Sequence, residues 1–284
     1  MTAPLHPLII QPLVKMALEE DLGRAGDITT MSTIPAEARA KVVMVARDEG
    51  RIAGLDFAET AFAMVDPALK ITRLKVEGAD VKKGDVVMEV EGKARSILMA
   101  ERVALNFVGR MSGIASLTLK MVRATGNHKA RIAATRKTTP GLRAVEKYAV
   151  QVGGGIPHRY GLDDAVLIKD NHIAMAGGIR PAIRAAKQYV GHTVKIEVEV
   201  DTLEQLREVL DEGVDIVMLD NMSLDDMTRA VQMVGGRVVV EASGGVTLDR
   251  IPAIAATGVD LISSGAITHS APNFDVGLDF QAAA

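Results

Sequence analysis

Residues 194–243, VKIEVEVDTLEQLREVLDEGVDIVMLDNMSLDDMTRAVQMVGGRVVVEAS, carry the rhythm that decides the fold. Three apolar runs, VKIEVEV (194–200), DIVMLD (215–220) and RVVVEAS (237–243), alternate with helix-like segments over 202–212 and 223–234. Strand–helix alternation at this spacing predicts a parallel sheet, and near-continuous apolar strands predict burial on both faces. The rhythm extends outward in both directions. RIAAT (131–135), AVLIK (165–169) and DLISSG (260–265) add three strands, with helical segments over 142–152, 179–190 and 248–257. Gly191, Gly213, Gly235 and Gly258 each stand between a helix and the next strand, a usual place for a helix to stop. Six runs fall short of the eight of a closed barrel, so either two strands are cryptic or the barrel is incomplete.

The polar residues sit at the ends of these runs. Arg136 and Lys137 follow IAAT, Lys169 follows AVLI, and Glu199 lies near the end of KIEVEV. Asp220 closes IVMLD, Glu241 and Ser243 close VVVEAS, and Ser264 and Gly265 follow LIS. In a parallel α/β barrel the C-terminal ends of the strands form the rim where chemistry happens. The stretch RKTTPGLRAVEKYAVQVGGGIPHRYGLDDAVLIKDNH (136–172) also brings His158, Arg159 and His172 into this set. Cations that stand singly at strand ends repel one another unless an anion lies among them. They therefore predict a pocket for a small, multiply charged anion rather than the solvated face of a charge run. Ser243-Gly244-Gly245 and Ser264-Gly265-Ala266 follow the last two strands and precede helices, where backbone N–H groups can hold a phosphate. There is no GxGxxG fingerprint and no GxxxxGK[ST] loop, and GGG at 153–155 alone reads as a turn.

Composition sets outer limits. The chain has 284 residues, 48% hydrophobic and 24% charged, which suits a globular protein of one large domain or two unequal ones. A net charge of -3, 3% aromatics and no Trp argue against a nucleic-acid partner. The absence of Cys excludes disulfides and Cys-based zinc sites and is compatible with a reducing cytoplasm. The N-terminal segment turns acidic early, and no run reaches the roughly 18 to 20 apolar residues of a membrane span, so a soluble, cytoplasmic protein is expected. The first hundred residues mix a helix over 8–21, a hairpin within 39–54, a helix over 55–66 and strands within 70–98, as in an α+β domain. A long helix over 98–126 links the halves. It carries an apolar stripe (Leu105, Val108, Met111, Ala115, Thr118) and a polar one (Arg102, Asn106, Arg110, Gly113) that suits either solvent or another subunit.

Several of these segments resemble the quinolinate phosphoribosyltransferase family, also called nicotinate-nucleotide pyrophosphorylase (carboxylating). RKTTPGLR and KYAVQVGGGIPHRYGLDDAVLIKDNHI carry the core of the likeness. EEDLGRAGDITT, ERVALNFVGRMSGIAS, IEVEV, MLDNM, EASGGV and ISSGAITHSAP extend it over nearly the whole chain. The resemblance implies a small N-terminal α+β sandwich domain over 1–110, completed by 271–284 with FDVGLDF returning as a strand. Beside it would stand an incomplete, TIM-like α/β barrel of six or seven parallel strands over 111–270. It further implies a homodimer, or a larger assembly of dimers, with active sites shared between subunits. The family enzyme joins quinolinate to phosphoribosyl pyrophosphate with Mg²⁺, releasing pyrophosphate and carbon dioxide and giving nicotinate mononucleotide for NAD biosynthesis.

On these residues the resemblance assigns the dicarboxylate to Arg136 and Arg159, helped by His158, Lys169 and nearby Thr135, with Arg102 arriving from the neighbouring subunit. Lys137 would face the pyrophosphate or the reacting centre. Glu199 and Asp220 would hold the ribose hydroxyls and the Mg²⁺-bound diphosphate. Ser243, Gly244, Gly245, Ser264, Gly265 and Ala266 would cradle the 5′-phosphate. His158 and His172 are the residues that could move protons, and His172 could equally orient a neighbour. Two other readings are a paralogue acting on another acceptor, such as the molybdenum-associated one, and a non-catalytic protein that binds a phosphate ligand. The second would need the phosphate loops but neither the dicarboxylate cations nor the Glu199/Asp220 pair.

Overall fold

The computed structural model describes residues 3–280, so of the expected domain over 1–110 and 271–284, residues 1, 2 and 281–284 lie outside the described residues. The described residues divide into two units, one from residues 3–117, 144–153 and 271–280, the other from 118–143 and 154–270. It opens with α1 (Pro7–Leu22), α2 (Ile28–Thr33), β1 (Arg39–Ala46), β2 (Gly50–Arg51), α3 (Leu55–Val65), β3 (Lys70–Arg73), β4 (Asp80–Val81) and β5 (Val86–Lys93). Then come α4 (Ala94–Ala124), β6 (Arg131–Ala133), α5 (Arg143–Val152), β7 (Val166–Ile168), α6 (Asp170–Ala176), α7 (Ile179–Tyr189) and β8 (Ile196–Val200). The remainder is α8 (Leu203–Glu212), β9 (Ile216–Asp220), α9 (Leu224–Val234), β10 (Val239–Ser243), α10 (Ile251–Ala256), β11 (Leu261–Ser263), α11 (Ala266–His269) and β12 (Val276–Phe280).

The first unit holds an antiparallel sheet in the order β12-β1-β5-β3. Its centre is β1, in which five successive residues, Val42 to Ala46, are buried. The backbone N–H and C=O groups of so buried a strand need partners on both edges, and β5 and β12 supply them. The hairpin expected within 39–54 does not form: β2, only two residues long, pairs with β4 instead. The α1 helix buries Ile10, Val14 and Leu18, one turn apart each, and Phe57 of α3 stacks on Phe107 of α4 with ring centres 4.8 Å apart. The apolar stripe of α4 is buried throughout. Its polar stripe divides: Arg102 and Asn106 are exposed, whereas Arg110 pairs with the buried Glu146 at 2.6 Å. Gly113 lies so close to the return segment that a β-carbon would sit 2.1 Å from the Pro272 carbonyl oxygen.

In the second unit six strands run parallel in the order β6-β11-β10-β9-β8-β7. Apart from β6, they follow one another in chain order, and β6 and β7 are the two edges. The incomplete α/β barrel expected from the six runs is what this unit forms. The α8 and α9 helices start on side-chain caps, Thr202 accepting the Gln205 N–H at 3.2 Å and Ser223 the Asp226 N–H at 3.1 Å. Such caps set each helix start directly after a rim residue of the preceding strand.

Candidate active site

Successive side chains of a strand point to opposite faces, so residues two apart share the barrel interior. Leu167 and Lys169, Met218 and Asp220, and Glu241 and Ser243 obey this spacing, and all line one cavity of about 550 Å³. Its wall also includes Thr135, Arg136, Lys137, His158, Arg159, Glu199, Asn221, Gly244, Gly245 and Ser263. The volume suits a small-molecule site. Of the residues singled out in the sequence, Arg102, Ser264, Gly265, Ala266 and His172 do not line it.

The cationic side is held by local bonds. Thr135 Oγ1 accepts the Lys137 N–H at 3.0 Å, and Thr268 Oγ1 donates to the Lys137 carbonyl at 2.7 Å. The Lys137 chain lies over Gly265, where an added β-carbon would meet its Cδ at 2.7 Å. Arg136 Nε is buried with no hydrogen-bond partner among the described residues. Arg159 Nη1 donates to the Ala165 carbonyl at 2.9 Å. Burial first, and the charge of Arg136 second, hold the Arg159 pKa below the usual arginine range. Two guanidiniums near enough to repel, one with an unpaired N–H, form a receptor for an anion with fork geometry.

Across the cavity, Lys169 Nζ pairs with Glu199 Oε2, and the Lys169 N–H donates to His172 Nδ1 at 3.0 Å. His172 therefore holds the backbone at the start of α6 rather than facing the cavity. Asp220 accepts Asn221 Nδ2 at 2.7 Å, and the Asn221 N–H donates to the Ser243 carbonyl at 3.0 Å. This bond ties the end of β9 to the 243–245 turn, in which Gly244 and Gly245 take φ of 89° and 55°. Glu199 and Asp220, on adjacent strands, offer the few carboxylates that Mg²⁺ takes together with substrate phosphates, so these residues fit that ion.

The sequence reading gave no role to Glu197 or to Glu241 beyond its place at a strand end. In the structure they lie within the barrel beside His158, whose Nε2 is 3.3 Å from Glu197 Oε2 and 3.5 Å from Glu241 Oε2. His158 Nδ1 accepts the Arg159 N–H at 2.7 Å. Burial works to lower the His158 pKa, and the two carboxylates beside the ring work to raise it. Burial likewise holds the Glu197 carboxyl above its ordinary range. A second ring proton would have to sit on Nδ1, where the Arg159 N–H already points, so the ring is held as the neutral tautomer with its hydrogen on Nε2, toward the carboxylates. The period of two in IEVEV was the available signal, since it sets Glu197 on the same face as Glu199. His158 and Asn221 are also the non-glycine residues with left-handed backbone among those described, at φ 52° and 54°. Both line the cavity, as strained residues at functional sites often do.

Two family profiles match the chain: "Quinolinate phosphoribosyl transferase, N-terminal domain" over residues 27–112 and "Quinolinate phosphoribosyl transferase, C-terminal domain" over residues 114–279. A quinolinate phosphoribosyltransferase [decarboxylating] of Nicotiana tabacum is 44% identical over 294 residues, spanning 97% of this chain and 83% of its own length. A probable nicotinate-nucleotide pyrophosphorylase [carboxylating] of Bacillus subtilis is 42% identical over 97% of this chain and 94% of its own. Among solved structures, the nicotinate-nucleotide pyrophosphorylase of Francisella tularensis superposes with a TM-score of 0.94 at 40% identity, covering 98% of both chains. Among the described residues no helix is long and apolar enough to cross a membrane.

Proposed function

The chain belongs to the quinolinate phosphoribosyltransferase family, and from that premise we infer its reaction: phosphoribosyl transfer from phosphoribosyl pyrophosphate to quinolinate, with decarboxylation. The products are nicotinate mononucleotide, pyrophosphate and carbon dioxide, a step of de novo NAD biosynthesis. One observation carries the reading: a single cavity holds guanidiniums suited to a dicarboxylate, two carboxylates suited to a ribose and its metal-bound diphosphate, and a glycine turn suited to a phosphate.

Arg136 and Arg159 grip the two carboxylates of quinolinate through paired N–H donors. Lys169, bound to Glu199 in the free chain, exchanges that carboxylate for one of the substrate's. Glu199 and Asp220 hold the ribose hydroxyls and the ion. Held there with the diphosphate, Mg²⁺ would supply charge neutralisation for the leaving group. Lys137 faces the departing pyrophosphate, and the 243–245 turn, with 264–266 beside it, receives the 5′-phosphate. The bond from the ribose C1 to pyrophosphate breaks as the pyridine nitrogen lone pair closes on C1. The bond from C2 to its carboxylate then breaks, carbon dioxide leaves, and the electron pair stays on C2 beside the cationic nitrogen until C2 takes up a proton. The chain's share is positioning and charge stabilisation.

The reading includes a dimer, or an assembly of dimers, in which Arg102 of a second copy reaches the dicarboxylate. The exposure of Arg102 on α4 supports that source. It also includes a cytoplasmic location, with which the lack of cysteine is compatible. Acceptor choice tests it: nicotinate, which lacks the 2-carboxylate, should be used far more poorly than quinolinate. Equal rates with both acceptors would count against a dicarboxylate site.

A further inference from the structure

Glu197 and Glu241 occupy the layer of the barrel interior below the rim, which parallel barrels usually fill with branched apolar side chains. Their side chains are 5% and 1% exposed, and three of their four oxygens make no hydrogen bond within the protein. Buried carboxylates persist only where a partner offsets their desolvation. The group they share is the His158 ring, with Nε2 within 3.5 Å of both.

The ring's other nitrogen decides what this trio is. Nδ1 accepts the Arg159 N–H at 2.7 Å, so it carries no proton and the ring proton is on Nε2, directed at the carboxylates. Turning the ring over would set carbon atoms against both partners. A metal ion ligated through Nε2 would need the proton on Nδ1, facing the Arg159 N–H, so the three residues do not form a metal site. What they do fix is the backbone. His158 has a φ of 52°, costly for a residue with a side chain, and its ring is tied at one end to the carboxylates and at the other to the next peptide. From that peptide Arg159 enters the cavity.

We propose that Glu197 and Glu241 are positioning residues for the dicarboxylate: by holding His158 Nε2–H they lock the imidazole, and through its Nδ1 they lock the turn that aims Arg159. This rests on the reading of Arg159 as a quinolinate-binding residue. The kinetic test uses full-length E197A, E197Q, H158A and E197A/H158A. E197A should raise KM for quinolinate on the order of tenfold or more, with KM for phosphoribosyl pyrophosphate within about twofold. E197Q keeps an acceptor oxygen and should recover most of the loss. In the H158A background E197A should add nothing, because it acts through the ring. Multiplying effects, equal rises in both KM values, or E197Q as poor as E197A would overturn the proposal.

Should E197A not fold, E241A and ¹⁵N-histidine NMR of the wild-type chain carry the test. The His158 signals should be pyridine-type at Nδ1 and pyrrole-type at Nε2. E241A should raise KM for quinolinate selectively. The reverse tautomer, together with a stoichiometric metal that survives dialysis, would establish a metal site and refute the proposal. If the wild-type chain released no pyrophosphate with quinolinate, the functional reading would fail while the tautomer result stood on its own.

Discussion

Gly244→Ala tests how the phosphate side of the cavity is built. Gly244 sits at φ 89°, and a β-carbon there would lie 2.2 Å from Asn221 Oδ1, 2.5 Å from its Cγ and 2.8 Å from its backbone nitrogen. The side-chain oxygen could rotate away. The backbone nitrogen cannot, because its N–H is bonded to the Ser243 carbonyl at 3.0 Å and Asn221 already lies in the left-handed region. Forcing alanine into left-handed backbone costs ~1–2 kcal/mol, and overpacking adds about 1–3 kcal/mol. The total, roughly 2–5 kcal/mol, is less than the stability of many domains, so the protein should fold with a lowered melting temperature. Relief requires Asn221 to move, and Asp220 and Ser243 move with it. A shift near 1 Å at a positioned group costs on the order of 100-fold, and the loss should appear in kcat/KM for phosphoribosyl pyrophosphate. Binding of quinolinate alone, measured by calorimetry, should change little. Gly245→Ala is the comparison: its nearest neighbour is the flexible end of Arg250 at 3.3 Å, so only the cost of left-handed backbone remains. A G244A protein with the melting temperature and phosphoribosyl pyrophosphate kinetics of wild type would refute the reasoning.

Two further outcomes are expected. Arg136→Ala should weaken quinolinate binding on the order of 100-fold or more while sparing the fold, and calorimetry with circular dichroism separates the two; near-normal kcat/KM would contradict the pocket assignment. Gly113→Ala brings a β-carbon to 2.1 Å from a backbone oxygen that cannot swing away, so urea unfolding should show a loss of about 1–3 kcal/mol or more, with substrate KM values unchanged.

The barrel was legible because its strands are short apolar runs ended by polar residues, each followed by an amphipathic helix. The rim was legible for the same reason: Arg136, Lys169, Glu199, Asp220 and Ser243 stand at or just past the C-terminal ends of strands, and all of them line the cavity. Less visible was whatever depends on distance along the chain. The segment from Val42 to Ala46 reads as half of a local hairpin, yet one of its partners is β12, more than 200 residues away. Residues 144–153 stand between two barrel strands in sequence but group with the first unit. The α6 helix begins directly after Lys169, and its polar first turn, Asp170-Asn171-His172, hides a seven-residue helix inside what reads as a loop. Glu197 was hidden by its neighbour: an acid three residues before the strand end looks like another surface charge until the interior parity of Glu199 is known.

The central claim is that one cavity joins phosphoribosyl transfer to loss of the 2-carboxylate. The most direct measurement is the yield of pyrophosphate and carbon dioxide together, from purified protein with quinolinate, phosphoribosyl pyrophosphate and Mg²⁺. Equal amounts of the two are predicted, with no carbon dioxide when phosphoribosyl pyrophosphate is withheld. Pyrophosphate without carbon dioxide, or neither product from a folded protein that still binds a phosphoribosyl ligand, would contradict the account.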